Sequence, residues 1–215
     1  MAGDYPYELL EHPQELAAFG EWSEEVYRDF QACQLGRMSE AQFIAKHQAR
    51  KAILVLDMTG FTEAAQKFGE LASLLRIYDV QKVCAPIFRQ HRAALIHAFA
   101  DDLTVIFDDP GTALDVAFEV HHRIDVFNRS SLASAHPARC CIGIGYGDIF
   151  AIGPNLAMGD EMNMASKLGE DTARGGETLT TANVYKALRH RGDCTFQAQS
   201  SDDLIFPYYT VQRNR

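Results

Sequence analysis

Two aspartates stand where apolar runs end. Asp57 closes Ala52-Ile53-Leu54-Val55-Leu56 and opens Met58-Thr59-Gly60-Phe61-Thr62. Asp101 closes Ala94-Leu95-Ile96-His97-Ala98-Phe99-Ala100 and precedes a further apolar run, Leu103 to Phe107. If these runs are neighbouring strands, two carboxylates meet at one edge of a sheet. Like charges at that range repel strongly unless cations lie between them. Magnesium holding a nucleoside triphosphate resolves the repulsion, since hard oxygen donors and phosphates share its shell. An aspartate after a strand is also an ordinary turn former or helix N-cap. The turn after Asp57 favours the chemical reading. Gly60 permits a tight backbone, Thr62 can cap the helix that follows, and free N–H groups there would point at an anion. The turn is not the usual P-loop, because no Gly-x-x-x-x-Gly-Lys-Ser/Thr occurs in the chain.

The elements that must position these groups alternate from Lys51 onward. The pattern predicts a strand at 52–57, a helix from about Thr62 to His91, strands at 94–99 and 103–107, and a helix from about Gly111 to Asn128. After a break at Arg129-Ser130-Ser131 it predicts strands at 139–144 and 148–152 and a helix from about 160 to 173. A strand at 177–180, a helix at 182–189 and strands near 194–199 and 208–212 follow. Pro86, inside the first long helix, is expected to bend or split it. The expected fold class is α+β: a ferredoxin-like βαββαβ core with a mixed sheet and helices mainly on one face, plus an N-terminal helical extension. Residues 1–50 are expected to form that extension and 51–215 the domain that carries the aspartates. Trp22, Val26, Phe30 and Cys33, then Phe43, Ile44 and His47, have helical spacing. Two or three short helices are expected there, with Gly36 between two of them and Ser39 as an N-cap. The extension reads as a packing or dimerisation appendage.

Composition bounds the partners. With 215 residues, 47% of them hydrophobic and 23% charged, the chain is long enough to bury a proper core. A net charge of −9 argues against nucleic acid or an anionic membrane as partner. No apolar run approaches the ~20 residues that span a bilayer, and the amino terminus lacks the basic flank and apolar stretch of a signal peptide. Five cysteines, Cys33, Cys84, Cys140, Cys141 and Cys194, show no metal spacing and are odd in number. They read as reduced thiols of a cytoplasmic protein. Cys140 and Cys141 adjoin in a predicted strand, so one is expected to face inward and the other outward.

Four motifs now carry a resemblance. Asp57-Met58-Thr59-Gly60-Phe61-Thr62 resembles the Asp-x-x-Gly-Phe-Thr motif of class III nucleotidyl cyclases. His97-Ala98-Phe99-Ala100-Asp101, with Phe107 six residues on, is similar to that family's Lys-x-x-Gly-Asp followed by Phe. Gly143-Ile144-Gly145-Tyr146-Gly147 resembles its Gly-Ile-His-x-Gly hairpin, and Gly159 to Leu168 resembles its Gly-x-x-Val-Asn-x-Ala-x-Arg-Leu helix. The likeness runs from about residue 50 to 190, with the motifs in the family's order. It implies attack of a ribose 3′-hydroxyl on the α-phosphate and departure of pyrophosphate, with two Mg²⁺ or Mn²⁺ ions per site. By matching position, Asp57, Asp101 and the Met58 carbonyl would hold the metals, and the backbone of Thr59, Gly60, Phe61 and Thr62 would cradle phosphate. Asn163 would touch the ribose and residue 167 the α-phosphate. The resemblance implies a homodimer with composite sites, in which the Asn163 helix comes from the other subunit.

The departures from the family pattern bear on specificity. Lys167 replaces the family's arginine, a point charge in place of a planar fork. The base-selecting positions hold His97 and Leu156 where an adenylate cyclase has lysine and aspartate; His97 can donate to a base carbonyl, and Leu156 cannot hydrogen-bond a base. Ala100 replaces a glycine, a mild change by type alone. Asp102 is expected on the face opposite Asp101 and so second in rank as a metal ligand. No lysine occurs between 194 and 212 to serve as the family's additional phosphate cation, which leaves Arg189 and Arg191 by elimination. Small size and lost purine selectors are similar to the antiviral pyrimidine cyclases, which make cyclic UMP or cyclic CMP for a separate effector protein. The alternatives are an adenylate or guanylate cyclase with atypical base contacts, and a degenerate cyclase-homology domain that binds nucleotide or a partner without turnover. A diguanylate cyclase is disfavoured because its Gly-Gly-Asp/Glu-Glu-Phe motif is absent.

Overall fold

The computed structural model describes residues 6–20, 22–133, 137–152, 157–201 and 204–214. The chain divides into two compact units, Met1–Gln48 with Phe150–Met158, and Ala49–Ile149 with Gly159–Arg215.

The smaller unit carries α1 (Pro13–Phe19), α2 (Glu24–Gln34) and α3 (Glu40–His47). Ser23 caps α2, and Ser39 makes a reciprocal capping box with Gln42 at the start of α3, as its sequence position predicts. Trp22 packs edge-on to Phe30, which stacks on Phe43 at 5.1 Å. Buried Asp29 on α2 holds α3 by accepting from Lys46 Nζ and pairing with His47 Nε2, both at 2.6 Å. A two-residue strand, β5 (Ala157–Met158), pairs antiparallel with Phe150 and Ala151.

The larger unit is built on β1 (Gln48–Met58), β2 (Leu95–Phe99), β3 (Asp102–Phe107), β4 (Cys140–Ala151), β6 (Thr178–Thr181), β7 (Cys194–Gln199) and β8 (Tyr208–Arg213). Their order is β2-β3-β1-β4-β6-β8-β7, and β4 pairs β6 in parallel while the β1–β3, β2–β3, β6–β8 and β7–β8 pairs are antiparallel. The α+β class with a mixed sheet is therefore as expected. The helices are α4 (Phe61–Phe68), α5 (Glu70–Gln90), α6 (Pro110–Asn128), α7 (Asp160–Ser166), a π-helical segment Lys167–Thr172, and α8 (Ala182–Leu188).

Strand alternation sorts the two faces. Ala52, Leu54, Leu56 and Met58 of β1 join Leu103, Val105 and Phe107 of β3 and Cys140, Ile142 and Ile144 of β4 in one core beneath α5, α6 and Val184 of α8. The residues between them face the other way, where α7 and the π-helical segment lie. Ile53 and Val55 are fully buried there as well, so β1 reads as a continuous apolar run. Cover on both faces also explains why Cys140 and Cys141 are both buried, against the expected inward–outward split.

Three further expectations change. The first long helix does not break at Pro86, which lies inside the continuous α5; the break is at Gly69, with φ 88°. Glycine reaches that conformation without steric cost, so it ends α4 where proline does not end α5. The helix after Asp57 starts at Phe61 with left-handed Gly60 as its N-cap, which puts Thr62 inside the first turn, not at the cap. The predicted strands at 139–144 and 148–152 are one strand of 12 residues.

Candidate active site

Asp57 is the last odd-numbered residue of β1 and so lies on the face away from the main core. Extending the β1–β3 register by one step from Leu56–Leu103 sets it opposite Asp102. Asp102 shares that face, because Leu103, Val105 and Phe107 point into the core on the other side. Asp101 lies in the β2–β3 hairpin turn, beside Phe99 and Asp102, which pair across it. The structure thus brings Asp57, Asp101 and Asp102 together, and ranks Asp102 as high as Asp101 beside Asp57, contrary to the order the sequence suggests. The reason is register: the tight turn makes Asp102 the first paired residue of β3, whereas Asp101 sits at the tip.

The electrostatics report the crowding. The Asp57 carboxyl is pushed up to about 6, first by desolvation and then by the charges of Asp102 and Asp101, against a hydrogen bond from the Met58 amide. The Asp102 carboxyl is raised as well, by burial and by Asp101. A fourth acid, Glu170 in the π-helical segment, is raised by desolvation and by the charge of Asp102. Sequence reasoning passed over Glu170, since it lies 68 positions beyond Asp102 in no motif; only the packing of that segment against β1, where Gly169 approaches the Val55 carbonyl, brings it near. Among the described residues, no three His, Cys, Asp or Glu side chains form a preassembled metal-binding group. The donor set of carboxylates and the Met58 carbonyl is nevertheless all hard oxygen with unbalanced negative charge, which fits a divalent cation of the Mg²⁺ type.

The turn after Asp57 is braced from two sides. The Thr59 amide donates to the Arg139 carbonyl at 3.0 Å, so it is engaged within the fold, unlike the free donor the motif suggests. The Thr59 hydroxyl lies 2.9 Å from Cys141 Sγ. Buried Arg76 of α5 spans 3.5 Å to both the Thr59 and Pro137 carbonyls. Arg76 has no motif of its own; a charged residue on the inward side of a helix was its one trace in the sequence. Met58 itself is buried. Ala100 holds a left-handed φ of 51° at the hairpin, so its replacement of glycine is not mild for the backbone, costing about 1–2 kcal/mol.

Asn163 and Lys167 sit one turn apart, joined by the Lys167 N–H to the Asn163 carbonyl, and both are exposed. Lys167 pairs with Asp171 at 2.7 Å and opens on a basin of about 1010 Å³ lined by Arg174, Glu177, Gln197, Gln199 and Thr210 among others. Arg191 is taken up elsewhere, by Asp115 at 2.6 Å and Asp193 at 2.5 Å, which removes it as a phosphate cation; Arg174 is the arginine that shares the basin of Lys167. His97 is half-buried on the edge strand β2, 6.4 Å from the Phe99 ring. Leu156 lies outside the described residues, as do the side chains of Phe61 and Thr62.

No protein-family model matches the sequence, and no curated protein matches it. Solved structures do. The adenylyl cyclase CyaB from P. aeruginosa aligns with a TM-score of 0.64 at 20% identity, covering 78% of this chain and 97% of that one. The catalytic core of a rhodopsin-guanylyl cyclase with converted specificity, in complex with ATPαS, aligns with 0.66 at 15% identity over 79% and 97%. The non-canonical dimeric guanylyl cyclase domain of RhoGC from Blastocladiella emersonii gives 0.62 at 15% identity over 79% and 98%. Among the described residues no helix is long and apolar enough to cross a membrane. These alignments show that the chain has the fold of the class III adenylyl and guanylyl cyclase catalytic domains.

Proposed function

We propose that the chain is a nucleotide cyclase that converts a nucleoside triphosphate, with a pyrimidine base, to its 3′,5′-cyclic nucleotide and pyrophosphate. The observation that carries this reading is the convergence of Asp57, Asp101 and Asp102 at one end of the sheet in a cyclase fold. Asp57 and Asp101, with Asp102 beside them and the Met58 carbonyl, would hold two Mg²⁺ or Mn²⁺ ions. Such ions acidify the ribose hydroxyl and neutralise the departing phosphates. The start of α4, from Gly60 to Thr62, presents backbone amides to the triphosphate. Asn163 orients the ribose for in-line attack, and Lys167 and Arg174 place positive charge beside the phosphates. Lys167 must exchange Asp171 for phosphate, so part of its attraction is offset.

The site is composite in this reading. Phe68, Leu71, Leu74, Leu75 and Tyr78 expose a continuous apolar stripe along α4 and α5, and a second copy of the chain is the occupant that supplies Asn163 and Lys167 to the carboxylates. His97 and Leu156 stand for the base pocket; one hydrogen-bonding ring and one aliphatic side chain favour a small base with a carbonyl, hence cyclic UMP or cyclic CMP. A signal of that kind needs a separate effector protein, consistent with a messenger in antiviral defence. Incubating the protein with each of the four nucleoside triphosphates and Mn²⁺ and identifying products by mass spectrometry tests the reading. Cyclic AMP as sole product overturns the base assignment, and no product from any of the four overturns the enzyme assignment.

A second reading is favoured by the Lys167–Asp171 pair. A point charge already neutralised one turn away suits a domain that binds nucleotide or a partner without turnover. Binding that survives Asp57→Ala, with no turnover in either form, supports it.

A further inference from the structure

Beyond the residues that would touch substrate, α7 is held by a carboxylate that the mechanism does not use. Glu161 is only 6% exposed. Its two oxygens accept three hydrogen bonds: from the Tyr146 amide at 2.8 Å, the Thr181 hydroxyl at 2.7 Å and the Asn183 side-chain amide at 2.6 Å. These donors come from β4, β6 and α8. The strand beneath has been cleared for it. A Cβ on Gly145 would stand 2.4 Å from the Glu161 carbonyl, and one on Gly147 would stand 2.5 Å from Glu161 Cγ. Glycines at 143, 145 and 147 share one strand face; the third contact of the row sets Gly143 against the Ala165 carbonyl, where a Cβ would come within 2.1 Å. The helix is thus pinned at two points one turn apart, by backbone contact at Ala165 and by the inserted carboxylate at Glu161. Two pins fix its rotation about its own axis, and Asn163 lies between them.

We propose that Glu161 is the positioning residue for this half of the site: its carboxylate, latched by Tyr146, Thr181 and Asn183 in the notch of Gly145 and Gly147, sets the rotation of α7 and so the aim of Asn163 and Lys167. A helix of seven residues has little stability of its own, so the latch decides its orientation. As placed, all three partners donate to the carboxylate; an amide at 161 could still be met by Asn183 turning its own amide, whereas a carboxylate at 183 sets acceptor against acceptor and charge against charge. The kinetic part of this inference rests on the cyclase reading; the structural part does not.

The test compares the wild type, Asn183→Asp, and Asn183→Asp with Glu161→Gln in the full chain. The double variant restores complementarity: the amide nitrogen introduced at position 161 donates to the carboxylate introduced at position 183, while the amide oxygen at 161 keeps the Tyr146 and Thr181 donors. Asn183→Asp is expected to lower kcat by about 10-fold or more, with KM for the triphosphate within about 2-fold, because misaimed groups cost turnover before binding. The double variant is expected to regain kcat to within about 3-fold of wild type. Amide exchange at Tyr146 and at 163–167 is expected to quicken in Asn183→Asp and slow again in the double variant. An unchanged kcat in Asn183→Asp, a double variant that stays slow or unfolded, or a KM that rises while kcat holds overturns the proposal. If the wild type makes no product, the cyclase reading fails and exchange decides alone. Faster exchange at these amides that the second substitution reverses then supports the latch, and unaltered or unreversed exchange overturns it.

Discussion

At the scale of single residues, the site stores unfavourable charge that a cation would relieve. Asp57 titrates near 6 in the folded protein, raised above the ordinary carboxylate value by burial and by Asp102 and Asp101. The sign follows: with the folded value above the unfolded one, the group's contribution to stability is present below about 3.9 and is lost as pH rises through about 6. Asp57→Asn removes that penalty. Without divalent ions the variant is expected to melt ~3 °C higher than wild type at pH 7.5, about 1 kcal/mol at this chain length after allowing for partial exposure, with the gap closing towards pH 4. Mn²⁺ is expected to raise the melting temperature of wild type only, and less as pH falls below 6. Scanning calorimetry across pH checks both, and a variant less stable than wild type at pH 7.5 refutes the charge argument. Ala100 stores strain of another kind. Its left-handed φ of 51° makes Ala100→Gly stabilising by about 0.5–1 kcal/mol, read from urea denaturation. The aspartates were legible in the sequence because each ends an apolar run. Asp102 was legible only as a second-ranked ligand and Glu170 not at all, because their nearness to Asp57 depends on hairpin register and on the packing of a π-helical segment, neither of which any local pattern records.

At the scale of elements, the legible part was what period and punctuation encode. The strands at β1, β2, β3, β7 and β8 and the helices α6 and α8 lie within a few residues of expectation, because apolar periodicity and turn residues mark them. The errors share a cause: a residue's local preference was overruled by its surroundings. Pro86 is accommodated within α5, whereas Gly69 ends α4. The glycines of Gly143-Ile144-Gly145-Tyr146-Gly147 suggested a hairpin, yet they are a smooth face of one long strand on which α7 rests at backbone distance. A face of this kind should give a graded response to added methyl groups. Gly143→Ala puts a methyl 2.1 Å from the Ala165 carbonyl, rigid backbone that cannot turn aside. It is expected to destabilise by about 3 kcal/mol or more and to displace Asn163 and Lys167 together. Gly192→Ala, where a Cβ meets nothing, is expected to change stability by less than about 0.5 kcal/mol. Equal losses in the two variants, measured by denaturant unfolding, would falsify the account of the glycine row.

At the scale of the whole molecule, the proposed division of labour, with the carboxylates and the Asn163–Lys167 helix of one chain serving different sites, requires the chain to work as a pair. On the proposed composite reading, each site of a two-fold dimer takes Asp57 from one protomer and Asn163 from its partner. Asp57→Ala and Asn163→Ala homodimers are then each inactive at both sites. In a mixed dimer one site carries both lesions and the other carries none. Random exchange makes half the dimers mixed, and each has one intact site of two, so mixing equal amounts is expected to restore about a quarter of wild-type specific activity. Within a single chain the two lesions would leave no intact site in any combination, so mixing would restore nothing. The apolar stripe supplies the control: Leu71, 70% exposed, and Leu74, 59% exposed, are the residues a partner would cover. Leu71→Glu with Leu74→Glu, added to both inactive variants, sets four carboxylates in a seam and is expected to give a monomer by sedimentation. That monomer should show no recovery on mixing, while its melting temperature stays near that of the parent because neither leucine is in the core. Absence of recovery on mixing the dimeric variants, or activity retained by the otherwise wild-type chain made monomeric by the two leucine substitutions, would require a site complete in one chain, and the composite arrangement would fall with it.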